Sequence, residues 1–141
     1  MTRRGGWKAA FGALMSMTML IGCFAPVIYG AYKVYDIGKH QVIVLRIMDN
    51  PETVYKTTVL TAEERDFKIA TRDDKQMVYS GKTRAGLDMT VKVSALPKGG
   101  TLMSITMEKG KDPEAEREGI VNAVLSVCSK LGTQCAEQKE K

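Results

Sequence analysis

Leu87-Asp88-Met89-Thr90-Val91-Lys92-Val93-Ser94-Ala95, followed by Leu96-Pro97-Lys98-Gly99-Gly100-Thr101-Leu102-Met103-Ser104-Ile105-Thr106-Met107, is the stretch that decides the fold. Leu87, Met89, Val91, Val93 and Ala95 alternate with Asp88, Thr90, Lys92 and Ser94. A period of two with one apolar and one polar set belongs to a strand that lies on a core and shows its other face to water. Met103, Ile105 and Met107 repeat the pattern against Ser104 and Thr106, and Pro97-Lys98-Gly99-Gly100 supplies a tight connection. The two runs predict an antiparallel pair with Met89, Val91, Met103 and Ile105 on its inward side.

Upstream, Phe67, Ile69 and Thr71 alternate with Asp66, Lys68 and Ala70. Arg72-Asp73-Asp74-Lys75 reads as a charged turn or bulge, Met77 to Lys82 continues extended, and Ala85-Gly86 marks the next turn. Further back, Val42, Ile43, Val44, Leu45 and Ile47 form a near-continuous apolar run, as expected of an interior strand over 40–47. Asn50-Pro51-Glu52 reads as a helix start, with Asn50 as cap, Pro51 at the first helical position and Glu52 at the positive end of the dipole. The body to Arg65 is rich in Thr and Val, whose local preference is for strand. The cap and the Ala62-Glu63-Glu64-Arg65 ending weigh for a helix. Asp112-Pro113-Glu114 repeats the start signal downstream. Ile120, Val124, Cys128 and Leu131 then form an apolar stripe, and Lys130 and Gly132 close a second helix. The expected domain spans residues 40–132. It is an α+β fold with a four-stranded antiparallel sheet, elements in the order β-α-β-β-β-α, and two helices packed on one face.

The N-terminus carries a different signal. Arg3, Arg4 and Lys8 precede an uncharged run of 24 residues, from Ala9 to Tyr32. A basic start, an apolar middle and small residues at a cut site make a secretory signal. Leu20-Ile21-Gly22-Cys23 resembles a bacterial lipobox, which implies cleavage between Gly22 and Cys23 and a diacylglyceryl group on the Cys23 sulfur. On that reading residues 1–22 are a lipoprotein signal peptide, and residues 23–39, with Tyr29, Tyr32 and Tyr35, are a tether whose aromatics suit the headgroup zone. Two acyl chains hold a protein stably to a membrane. Phe24 stands where an Asp would signal inner-membrane retention, so the expected place is the outer membrane, facing the periplasm. The same run also meets the length of a membrane-spanning helix, about 20 residues, so an uncleaved inner-membrane anchor is the competing reading.

Removing residues 1–22 leaves 119 of the 141 residues, enough for one modest core. It also removes three positive charges, leaving 18 basic and 16 acidic residues. A near-balanced surface gives no footing to nucleic acid. Cys128 and Cys135 then remain as an even pair in an oxidising compartment. Seven positions apart on one helix, their Cα atoms would be about 10 Å apart, beyond disulfide reach. A chain reversal at Gly132 would join them. A core Cys128 with a free Cys135 in a polar tail, residues 133–141, is the alternative.

Together, the lipobox, the Gly/Tyr-containing tether, the Asn50-Pro51 helix start, the Ala85-Gly86 and Lys98-Gly99-Gly100-Thr101 hairpins and the closing acidic amphipathic helix resemble a family of small bacterial lipoproteins classed as a domain of unknown function. In outline the pattern is also similar to helix-grip domains of lipoproteins that help assemble outer-membrane barrels. The resemblance implies a fold and an address rather than a chemistry.

The residues themselves offer no reaction. His40 is the sole histidine, and it stands at a strand start. Asp73-Asp74 and Glu63-Glu64 are flanked by Arg72, Lys75 and Arg65, the pattern of solvated charge. Gly99-Gly100 leads into a strand, so it is not a phosphate-cradling loop. Four of the nine methionines lie in the signal, and Met89, Met103 and Met107 fall on a core face, so core packing accounts for them better than copper handling. No enzyme activity, metal or cofactor is expected. The expected function is that of a structural or assembly accessory that binds another envelope protein through a sheet edge or face. The alternative is a carrier of a small ligand or lipid, and the two readings are separable: a cavity lined by Met89, Val91, Met103 and Ile105 favours the carrier, and a filled core there excludes it.

Overall fold

The computed structural model describes residues 30–138. Gly22, Cys23 and the rest of the segment before Gly30 lie outside the described residues, as do residues 139–141. The elements are β1 (Gly30–Ile37), β2 (His40–Ile47), α1 (Pro51–Glu64), β3 (Lys68–Asp73), β4 (Val78–Lys82), β5 (Asp88–Ala95), β6 (Thr101–Glu108), α2 (Pro113–Lys130) and β7 (Cys135–Glu137). The strands form one sheet in the order β3-β4-β5-β6-β2-β1-β7. All neighbours are antiparallel except β1 and β7, which run parallel.

The four-stranded antiparallel sheet expected from the sequence is therefore corrected to a seven-stranded mixed sheet. Three segments account for the difference. Gly30–Ile37, inside the stretch read as a tether, is strand β1, paired with β2 along its whole length from Gly30 opposite Ile47 to Ile37 opposite His40. The two strands turn through Gly38-Lys39 alone, with Gly38 at φ +59°, the conformation a two-residue hairpin asks of its first turn residue. The stretch 67–82, read as one interrupted strand, is the hairpin β3–β4. Finally, Cys135–Glu137, inside the polar tail, adds β7 beside residues 30–32 of β1.

Local chemistry explains both helices. Asn50 caps α1, its side-chain oxygen accepting from the Glu52 N–H at 2.9 Å and the Thr53 N–H at 3.4 Å, with Pro51 as the first helical residue. Asp112 caps α2 by accepting from the Ala115 N–H at 3.2 Å. The helix ends differ. Gly132 (φ +70°) follows α2 as a glycine should, whereas Asp66 (φ +60°) occupies the left-handed position after α1.

One core joins sheet and helices. Ile43, Leu45, Ile47, Val91, Val93, Met103, Ile105 and Met107 point to the same side and pack with Val54, Val59 and Ala62 of α1 and Ile120, Val124 and Cys128 of α2. β2 is an interior strand, between β6 and β1. Buried Gln41 donates to the Pro113 carbonyl at 3.0 Å and so fixes the start of α2 over β2. At the other helix end, Lys130 reaches Glu64 at 2.5 Å and Thr61 at 3.1 Å and ties α2 to α1.

Candidate ligand cavity

Between the inward face of the sheet and the two helices lies a cavity of about 290 Å³. Its floor is Met89 and Val91 of β5 with Met103, Ile105 and Met107 of β6. Its walls are Thr58, Thr61 and Ala62 of α1 and Ile120, Ala123, Val124 and Val127 of α2. Phe67 and Tyr79 line it as well.

The space exists because the helices present small groups where the sheet presents its own long ones. Gly119, Ala123 and Ala62 line the cavity and carry at most one methyl each. A Cβ added at Gly119 would meet nothing within 4 Å, so the packing there does not require a glycine. Met89 on β5 stands opposite Met107 on β6, and Val91 opposite Ile105. The register thus groups unbranched thioether side chains at one end of the floor, where they can adapt to an occupant.

Tyr79 is 2% exposed, and its hydroxyl donates to the Thr58 carbonyl at 3.2 Å. Burial pushes its phenol up to about 12, so it remains a neutral donor at any ordinary pH. Tyr79 also packs against Tyr55 and Phe67, with ring centroids 6.1 Å and 5.9 Å away. Tyr55 in turn donates to Asp74 at 2.8 Å, and the Arg72 Nε–H donates to the same carboxylate oxygen at 2.6 Å. The hydrogen bond from Arg72, then that from Tyr55, holds the Asp74 carboxyl below its ordinary value. Burial, with the Asp74 hydrogen bond second, raises the Tyr55 phenol.

The exposed part of the lining includes two arginines. Arg65, Arg84, Ala85 and Gly119 line the cavity and are exposed, in contrast to the buried Val91, Met103 and Val124. Arg84 sits on a turn closed by bonds from the Thr83 N–H to the Leu87 carbonyl and from the Gly86 N–H to the Thr83 carbonyl, each 2.8 Å. Glu116 also lines the cavity, but its carboxylate accepts from the Gly110 N–H at 2.8 Å and the Asp112 N–H at 3.3 Å.

Of the residues singled out from sequence, Met89, Val91, Met103 and Ile105 converge on this cavity. Cys128 and Cys135 are joined in a disulfide, with Cα atoms 6.1 Å apart, at the far end of α2. His40 lies exposed beside the β1–β2 turn and does not line the cavity. The acidic pairs serve structure. The Asp73 carboxylate accepts from the N–H groups of Lys75 and Gln76 in the β3–β4 turn, and Glu64 pairs with Lys130. Among the described residues no group of three or more His, Cys, Asp or Glu side chains could hold a metal ion. No helix among them is long and apolar enough to cross a membrane. Sequence reasoning missed Arg65 and Arg84 in the lining. The Arg84 turn was visible as Ala85-Gly86, but only the pairing of β4 with β5 brings it to the cavity.

No protein-family model matches the chain, and no curated protein matches it.

Proposed function

We propose that this domain binds a small apolar or amphipathic molecule in the space between its sheet and its helices. One observation carries the reading: Met89, with the core residues Val91, Met103 and Ile105 beneath it, also lines about 290 Å³ of space. Ligand pockets run from about 300 Å³ upward and are lined mainly by apolar groups with a few polar ones. Here the lining is mainly aliphatic, thioether and aromatic, with a few polar side chains, of which Arg65 and Arg84 are exposed. Such a lining suits capture rather than turnover. The lipobox-like Leu20-Ile21-Gly22-Cys23 supports a place at the cell envelope, where a lipid on Cys23 would hold the carrier to a membrane seven residues ahead of Gly30.

Assembly through a sheet edge has less behind it. The β3 edge carries Lys68, Arg72 and Asp73 and a register shift between Ile69 and Thr71, devices that discourage strand addition. The β1 edge is partly covered by β7.

The test is uptake of an environment-sensitive apolar dye by the full chain and by Ala123→Phe, which places a ring in the cavity. The wild type should take up about one dye per chain. The variant should take up none while melting no lower than about 3 °C below the wild type, since an overpacked site costs about 1 kcal/mol or more only where nothing yields. Uptake unchanged by Ala123→Phe would contradict the reading.

A further inference from the structure

We infer that the occupant is a single-chain amphiphile with an anionic head, its hydrocarbon in the cavity and its head at Arg65 and Arg84. This deepens the reading above and rests on it. Three observations converge. The first is size: about 290 Å³ lies at the small end of ligand pockets and suits one chain rather than two. The second is the division of the lining into buried apolar residues and exposed ones, Arg65 and Arg84 among them. The third is the state of the charges there. Among the described residues Glu116 is the only acidic one lining the cavity, and its two oxygens accept from the Gly110 and Asp112 backbone amides. Arg65 makes one long bond, 3.4 Å, to the Asn122 carbonyl, and Arg84 has no ion pair among the described residues. Two arginines against one carboxylate leave the described lining with an excess positive charge beside an apolar hole, which complements a carboxylate or phosphate at the end of a hydrocarbon. A guanidinium binds either head through paired N–H donors. The backbone that carries Arg84 is fixed by the turn bonds of Thr83, Gly86 and Leu87.

The experiment displaces the neutral dye from the full chain with dodecanoate, dodecyl phosphate and dodecanol, below their critical micelle concentrations. Wild type should release dye to the anionic compounds at concentrations at least about fivefold lower than to the alcohol, the scale set by two solvent-exposed charge contacts. In Arg65→Gln/Arg84→Gln that preference, read as the ratio within the one protein, should fall to about one, and added salt should shrink it in the wild type. The carboxylate and phosphate arms separate a fatty acid from a phosphorylated lipid as the source of the head. Equal displacement by all three, or a preference that survives the double substitution, would overturn the head-group assignment and leave the cavity reading standing. Dye uptake by neither protein would remove both. Uptake seen only after Cys23→Ala would assign the cavity to a lipid carried by this chain itself, and would overturn the proposal.

Discussion

Two residues contribute to the pH dependence of this fold's stability. Asp74 accepts hydrogen bonds from Arg72 and Tyr55, and so has a lower proton affinity folded than unfolded. Its contribution is therefore present above the ordinary aspartate value and is lost as pH falls through the lower folded value. Asp74→Asn should flatten the acid limb of the stability curve below about pH 4, as read by thermal melts across pH. Tyr79 acts at the alkaline end. Its folded value, about 12, exceeds the ordinary 10. The stability it gives by staying neutral is complete below pH 10 and is lost as pH rises from there towards 12. Absorbance titration should show this phenol ionising only with unfolding, and Tyr79→Phe should remove that part of the alkaline transition. Asp66 holds a positive φ, 60°, at the position after α1 where a glycine is unstrained. Asp66→Gly should raise stability by about 0.5–1 kcal/mol, read by denaturant titration.

At the scale of elements, the disulfide and β7 form one device. Cys135 heads β7, β7 lies on β1, and a Cβ at Gly30 would collide with the Cys135 sulfur. Gly30 is thus required for the close approach that lets the disulfide end of α2 reach the first strand. Cys128→Ser/Cys135→Ser should lose about 2–3 kcal/mol, the loop-closure value for so short a span. Hydrogen exchange should then quicken in residues 30–32 and 135–137 before it does in β2. Gly119 predicts the opposite sign. Its Cβ position is open, so Gly119→Ala should stabilise α2 by about 0.5–1 kcal/mol.

Elements were unequally legible in the sequence. Wherever a chemical cap or a strict period marked them, they stood out: Asn50-Pro51 and Asp112-Pro113 opened the helices, and Leu87 to Met107 showed its alternation. β1 was hidden because Tyr29, Tyr32 and Tyr35 recur every third residue, and that pattern masked the two-residue period of Tyr32 and Val34, the inward pair. The two-residue turn Gly38-Lys39 was the available signal. β7 has three residues and no period to read. Its place comes from the disulfide and from the edge of β1, both long-range facts.

For the whole molecule, the decisive feature is a space that no local pattern records. The inward methionines read correctly as a core face, but whether helices fill the volume above that face depends on the sizes of Ala62, Gly119 and Ala123 and on where α1 and α2 come to rest. A hollow of this size without an occupant forgoes packing that a solid core would have. A ligand that enters it should raise the melting temperature by an amount that keeps growing with the logarithm of free ligand above its Kd.

The most direct measurement is methyl NMR of the methionines in the full chain, titrated with dodecanoate. The account predicts that the ε-methyl signals of Met89, Met103 and Met107 shift together and saturate, while Met48, 63% exposed and outside the cavity, stays in place. Shifts confined to Met48, or no shift at the three cavity methyls at saturating ligand, would contradict it.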